Sequence, residues 1–291
     1  MTTVVGIENI SVSFGGIKAL TDVSFGIAKD KITALIGPNG AGKTTVFNCI
    51  TGFYRTTSGE IRLSTRAGKK VDRSGVFVSE LLGRQFSIAD FVSPKSFLKK
   101  LRYKTAGGSH LVARAGVART FQNIRLFKEM TVLENLLVAR HGRVSRNPLA
   151  AVLGLKSFKE REIKAVDDVF KILGVVGIED TANLLAGDLP YGLQRRVEIA
   201  RALATEPEVL CLDEPAAGLN PEETKNLSDL ICRLRDDHGL TVLVIEHDMG
   251  MVMGMSDHIV VLDSGKVIAE GAPLEVKEDP NVIAAYLGTE A

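Results

Sequence analysis

The chain alternates between short, wholly apolar runs and longer stretches in which apolar positions recur every three or four residues. Ile32–Ile36, residues 209–212, Thr241–Ile245 and residues 259–262 are β-branched or apolar and are bounded by Gly, Asp or Pro, which predicts strands. Their near-continuous apolarity predicts burial on both faces, the habit of parallel sheets. Between two of them, Asn220 suits a helix N-cap and Pro221 the first helical position. Glu222 and Glu223 complement the helix dipole, and Leu227, Leu230, Ile231 and Leu234 form one stripe. Strand alternating with helix implies a parallel α/β core. From about residue 123 to 195 the pattern is helical, notably over 132–139 and 158–173, with no convincing strand, which predicts a helical insert. No internal repeat or low-complexity tract interrupts this order.

Composition narrows the classes. At 291 residues the chain fits one large domain or two small ones, given about 150 residues per domain. Hydrophobic residues at 45% and charged ones at 24% exclude disorder as the main state. With 36 basic and 35 acidic residues, no net field favours polyanions, and nucleic acid is not an expected partner. Cys49, Cys211 and Cys232 are isolated, which argues against a disulfide framework or a cysteine zinc site and fits a reducing cytosol. Residues 1–30 carry Glu8, Asp22 and Asp30 with no long apolar core, unlike a signal peptide. No apolar run reaches 18 residues, so the chain itself is not expected to span a membrane.

Candidate chemistry begins after the strand Ile32–Ile36. Gly37-Pro38-Asn39-Gly40-Ala41-Gly42-Lys43-Thr44 matches GxxxxGK[ST] and opens a helical run, Thr45 to Ile50, which is the context that motif requires. Glycines at 37, 40 and 42 let successive N–H groups curl around phosphate oxygens, Asn39, Ala41 and Thr45 belonging to the same cradle. Lys43 is placed to reach the β- and γ-phosphates, Thr44 to set its hydroxyl on Mg²⁺, and the helix N-terminus adds a favourable dipole. These residues specify a nucleoside triphosphate site without saying which nucleotide-dependent activity it serves. Residues 209–214, Val-Leu-Cys-Leu-Asp-Glu, form an apolar strand ending in two acids. Coupled to the phosphate loop, Asp213 suits the metal and Glu214 the base that orients and deprotonates water.

These stations, with others in order over nearly the whole chain, resemble the nucleotide-binding subunit of ATP-binding cassette (ABC) transporters. The resemblance implies a P-loop NTPase of ABC type: a RecA-like parallel-sheet α/β core, an N-terminal antiparallel β region and a helical subdomain, all in one nucleotide-binding domain over 1–291. Gln122, in Arg-Thr-Phe-Gln-Asn, is similar to the loop glutamine that contacts Mg²⁺ and senses the membrane partner. His247, in Ile-Glu-His-Asp, is similar to the switch histidine that contacts the γ-phosphate. Phe14 resembles the aromatic that stacks on adenine, and residues 217–220, Ala-Gly-Leu-Asn, resemble the loop that crosses a dimer interface. Taken singly, Gln122 also reads as a surface amide, His247 as a cap residue and Phe14 as core. The expected catalytic set is Lys43, Glu214 and His247, with Mg²⁺ on Thr44, Gln122 and Asp213.

The signature segment departs from the family. Residues 189–195, Leu-Pro-Tyr-Gly-Leu-Gln-Arg, stand in the place of LSGGQ and keep only the leucine and the second glycine in register. Pro190 removes a hydroxyl and an N–H donor, while the Gly192 amide and the helix N-terminus remain available to the nucleotide of an opposite subunit. The continuation Arg-Val-Glu-Ile-Ala-Arg-Ala-Leu, the run Asp-Glu-Pro-Ala-Ala-Gly-Leu-Asn-Pro and the terminal Val-Ile-Ala-Ala-Tyr-Leu-Gly resemble the polar and branched-chain amino acid import branch. That resemblance implies an ATP hydrolase on the inner face of the plasma membrane. It would pair with an identical or different second cassette, sit on an integral-membrane permease and serve a substrate-binding protein indirectly. Urea, amide and lipopolysaccharide systems are related alternatives. So is a low-turnover regulatory module, motivated by Pro190 and Leu193, although Glu214 and His247 are intact. A soluble cassette of DNA repair or translation should show a second cassette, a coiled-coil insert or a focused nucleic-acid patch, and none is evident in the sequence apart from a basic insertion.

One segment is out of proportion. Residues 64–119 carry twelve Lys or Arg against Asp72, Glu80 and Asp90, in a chain whose total charge is +1. Within it, roughly 75–109 reads as a basic insertion, with a short helix starting at Ser93-Pro94 and carrying Phe97, Leu98 and Leu101 among lysines and an arginine. It reads as a solvated surface excursion, or alternatively as a contact with anionic lipid or a partner near the membrane.

Overall fold

The computed structural model describes residues 2–66, 75–82, 108–140 and 156–287. Two long strands, β1 (Thr3–Phe14) and β2 (Ile17–Ala28), form an antiparallel hairpin. β4 (Ser58–Leu63) pairs with β1, and the short β5 (Val76–Phe77) pairs with β4, completing an antiparallel sheet in the order β2-β1-β4-β5. The start of the expected insertion is thus continuous with this sheet through β5 and α2 (Val78–Leu81). The rest of the insertion up to residue 107, including the expected helix from Ser93, lies outside the described residues.

The second sheet is the parallel core. β3 (Ile32–Ile36), β6 (Val117–Arg119), β7 (Val209–Asp213), β8 (Thr241–Ile245) and β9 (His258–Asp263) run parallel in the order β9-β3-β8-β7-β6, and β10 (Lys266–Gly271) adds an antiparallel edge to β9. All four strands expected from apolar runs are present, and every residue of β3, β7 and β8 is buried.

Two cores line its two faces, divided by the strand period of two. Ile32, Ala34 and Ile36 of β3, with Leu210, Leu212, Val242 and Val244, pack with Leu227, Leu230, Ile231 and Leu234 of α7 (Pro221–His238). The same core takes in α4 (Val132–Arg140), α5 (Lys156–Val176), α6 (Tyr191–Leu203) and α8 (Met249–Met255). Leu35, Val209, Cys211, Leu243 and Ile245 face the other way, onto α1 (Lys43–Ile50) and the apolar side of the antiparallel sheet. α3 (Ser109–Arg114) leads into β6, and α9 (Pro273–Glu278) and α10 (Pro280–Leu287) follow β10. Between residues 123 and 195 the only β-pairing among described residues is an isolated bridge of Thr131 with Leu185, and the regular elements of the described parts are helices, as expected.

α7 starts as its sequence dictates. The Asn220 side chain accepts from the Glu223 N–H, Glu223 reciprocates to the Asn220 N–H, and Pro221 occupies the first turn. Cys49 and Cys211 are free thiols, and burial pushes both up to about 12, so they pack as small apolar groups.

Two substitutions in α7 separate its packing from its capping. Leu230→Ala, at a site with no exposed surface, should cost about 2–5 kcal/mol. Asn220→Ala should cost only about 1 kcal/mol. Urea unfolding of the two variants should rank them in that order.

Candidate active site

The parallel register sets the site. Leu35 of β3 stands opposite Ile245 of β8, and Ile245 stands opposite Asp213 of β7. Three neighbouring strands therefore end at one level, and the segments that leave them, 37–42, 246–248 and 213–214, emerge side by side. The carboxyl edge of a parallel sheet is where α/β proteins bind ligands.

The phosphate loop is held open by its glycines. At Gly37 (φ 146°) a Cβ would lie 2.0 Å from the Leu262 carbonyl oxygen, and at Gly42 (φ 102°) one would lie 2.7 Å from Leu20 Cδ2. The loop is tied to the β9–β10 turn, where the Gly265 N–H donates to the Ala41 carbonyl at 3.0 Å. α1 begins after Gly42 with no side-chain cap, which leaves the N–H groups of its first turn, those of Thr44 and Thr45 included, available to an anion. Asn39, Gly40 and Thr44 are exposed, and Ala41 is buried beneath them. Lys43 is buried, its Nζ donating to the carbonyls of Gly37 at 2.7 Å and Pro38 at 3.0 Å. Burial lowers its pKa, and the Glu214 carboxylate opposes that shift.

Opposite lie the acids. Asp213 is buried at the end of β7, and burial raises its carboxyl pKa against the attraction of Arg119, whose guanidinium is 3.7 Å away. Glu214 follows in the left-handed region (φ 45°), with its N–H donating to the Ile245 carbonyl at 2.9 Å. A non-glycine residue in that conformation stores strain, and such strain collects at functional sites. Gln122, just beyond β6, donates its Nε2 to Glu214 Oε2 at 2.8 Å. Gln122 is thus an exposed amide that is nonetheless tied to Glu214. His247 leaves β8 with its side chain 67% exposed and its Nδ1 3.8 Å from Glu246 Oε2.

Phe14 and Gly192 lie apart from this cluster. Phe14, 46% exposed at the end of β1, packs edge-to-face on Tyr54 with ring centroids 5.2 Å apart, so it is not a core residue. Gly192, in the first turn of α6, has Glu223 of α7 as its nearest neighbour, and Tyr191 lies against Gly218. Tyr191 and Gly192 of the signature segment thus lie against the 217–220 loop and the start of α7 in their own chain. Pro190 is the N-cap of α6, so its missing N–H breaks no helical bond.

Sequence reasoning passed over three buried charges, Glu246, Arg195 and Glu198, and the half-buried Arg119. Glu246 accepts from the Ala216 N–H (2.7 Å) and the His247 N–H (3.2 Å), fastening the loops after β7 and β8 to each other. Burial raises its pKa. An acid directly after a wholly apolar strand was the available signal. Arg119 lies 4.5–4.8 Å from the ring centroids of Phe47, Phe53 and Phe121 and donates to Asn48 and Thr51, besides pairing with Asp213. Arg195 and Glu198 form a buried pair within α6.

Among the described residues no group of three His, Cys, Asp or Glu is placed to hold a metal ion. Mg²⁺ takes one or two protein ligands and shares the rest with phosphate oxygens and water, so it requires no such group. Thr44, Gln122 and Asp213, the residues expected to hold it, carry oxygen donors of that kind.

Known proteins share this plan. The ABC transporter family description matches residues 20–217, and a second, for the branched-chain amino acid ATP-binding cassette transporter, matches 266–291. The chain is 44% identical to the high-affinity branched-chain amino acid transport ATP-binding protein BraF of Pseudomonas aeruginosa, over 97% of this chain and 96% of that one. It is 43% identical to LivG of Escherichia coli K12, over the same shares. In fold it resembles the crystal structure of an ATP-binding cassette of an ABC transporter in its ADP conformation, with a TM-score of 0.74 and 30% identity over 99% of this chain and 100% of that one. With a phosphate loop, paired acids and a histidine at one sheet edge and these matches over nearly its full length, the chain belongs to the ABC transporter family, as a nucleotide-binding ATPase of its branched-chain amino acid transport group.

Proposed function

We propose that this chain hydrolyses Mg-ATP to drive uptake of branched-chain or related amino acids through a separate membrane permease. The observation that carries the reading is the common level at which β3, β8 and β7 end, which gathers Lys43, His247, Asp213 and Glu214 around one phosphate loop. The relatives named above, matched over nearly the full chain, support the amino-acid assignment.

The residues divide the work. Loop N–H groups from Gly37 to Thr45 bind the phosphates, and the Lys43 ammonium leaves the Gly37 and Pro38 carbonyls for phosphate oxygens. Phe14, with Tyr54 beside it, offers an aromatic surface to the base. Thr44, Gln122 and Asp213 would hold a Mg²⁺ ion. When bound there, it would supply neutralisation of charge on the phosphate oxygens. Glu214 orients the attacking water and takes its proton, once Gln122 has released the carboxylate it binds in the structure. His247, exposed at the rim, donates to the γ-phosphate as charge redistributes.

Gly192 and the N-terminus of α6 are directed to the nucleotide of a second cassette, identical or not, in a head-to-tail pair. No helix among the described residues is long and apolar enough to cross a membrane, which suits a peripheral subunit docked on a permease at the cytoplasmic face.

The test is reconstitution with the candidate permease in vesicles. ATP turnover should rise on assembly, with leucine, isoleucine or valine accumulating inside. Accumulation of urea or an amide instead would reassign the substrate, and absence of turnover in both settings would favour a regulatory module.

Two variants probe the site. Glu214→Gln should retain ATP affinity and lose about 10²–10⁴-fold in turnover, as for removal of a general base. Gly37→Ala, whose Cβ would meet the Leu262 carbonyl, should displace the loop and weaken ATP binding at least ~10-fold by equilibrium nucleotide titration.

A further inference from the structure

α6 carries Tyr191, Arg195 and Glu198 at i, i+4 and i+7, so the three share one face of the helix. Arg195 has no exposed surface, and Glu198 is equally enclosed. Removing two charges from water is expensive and requires near-complete hydrogen bonding. The destinations of those bonds are informative. Nη1 of Arg195 donates to Glu198 Oε2 at 2.8 Å and to the Phe121 carbonyl at 2.9 Å. Nη2 donates to the Gln122 carbonyl at 3.0 Å and to the Tyr191 hydroxyl at 3.2 Å. The other oxygen of Glu198 accepts from the Phe121 N–H at 3.1 Å. Three polar backbone groups of two successive residues beyond β6, the Phe121 N–H and the carbonyls of Phe121 and Gln122, therefore end on one ion pair of α6.

The Gln122 side chain then continues the chain of contacts to Glu214 Oε2. A glutamine on an exposed loop could sample many positions; this one has its main chain fixed by a buried planar fork on one side and its amide fixed by the carboxylate on the other. The fork geometry matters, because a guanidinium can serve two successive carbonyls and a carboxylate at once, and an ammonium, as a point charge, does so less well.

We infer that Arg195, braced by Glu198, is a positioning residue for hydrolysis: it sets the backbone at 121–122 so that the Gln122 side chain stays beside Glu214, within reach of the Mg²⁺ it would hold once it lets the carboxylate go. Arg195 touches neither nucleotide nor water in this role. The inference rests on the roles proposed above for Gln122 and Glu214, and goes beyond them in assigning their placement to a buried pair outside the phosphate loop.

The test uses the full-length chain assembled with its permease. Arg195→Met alone would strand the Glu198 charge and endanger folding. The decisive variant is therefore Arg195→Met with Glu198→Gln, which buries no charge and keeps an acceptor for the Phe121 N–H. The double variant should hold its ATP Kd within about twofold, since the phosphate loop is untouched, and lose about tenfold in kcat. The same pair of changes in a Gln122→Ala background should lower kcat no further, because the effect passes through Gln122. Arg195→Lys should recover part of the loss. The idea is overturned if the double variant keeps its kcat while Gln122→Ala lowers it, or if the two losses multiply, as a general weakening of the helix would produce. Should Gln122→Ala leave kcat intact by itself, the role proposed for Gln122 falls, and the positioning role falls with it.

Discussion

Everything at the site depends on the pairing of β3, β8 and β7 in parallel register. Parallel strands buried on both faces have little freedom to slip, because a one-residue shift would exchange the two cores that their alternate side chains fill. Ile32, Ala34 and Ile36 go to one core and Leu35 to the other, so the level at which β3 ends is fixed by hydrophobic burial far from any polar chemistry. The phosphate loop inherits that level, as do Asp213 and Glu246. Apolar packing, which is non-directional, thereby sets the positions of directional groups.

The charged residues around the loop are placed by a second kind of constraint. Arg119, Arg195, Glu198 and Glu246 are all largely removed from solvent, and each meets partners from segments distant in sequence. In such surroundings an unpaired charge is costly, so each of these groups restricts the geometry of the loops that satisfy it. Glu246 binds the loops after β7 and β8 to one another. Arg119 joins the end of α1 to Asp213, and the Arg195–Glu198 pair joins α6 to the segment after β6. The loops carrying the chemistry are exposed at their tips and anchored at their roots, an arrangement that leaves His247 and Gln122 accessible without leaving them adrift.

Two tightly constrained backbone positions sit where this anchoring is strongest. Glu214 holds a left-handed conformation beside a buried aspartate, and Gly37 lies so close to Leu262 that no side chain fits. Each is enforced by a strand end that the cores do not allow to move. Pro190, by contrast, disturbs nothing in its own chain, because it precedes the first turn of α6. Its consequence is confined to what that helix terminus presents to another molecule.

Much of this was legible in the sequence, because it is written locally. Apolar runs marked β3, β7, β8 and β9; Asn220, Pro221 and the stripe of leucines marked α7; the glycine spacing marked the phosphate loop, and two acids after an apolar strand marked its counterpart. Periodicity and loop chemistry extend over a few residues and need no partner to be read. The sequence could not show that Tyr54 would support Phe14, that Gln122 would settle on Glu214, or that Arg195 and Glu198, three positions apart on what reads as an ordinary charged helix, would be buried against residues 121 and 122. Those facts are contacts between segments roughly 40 to 90 residues apart, and they exist only once the register of the buried strands has brought the segments together.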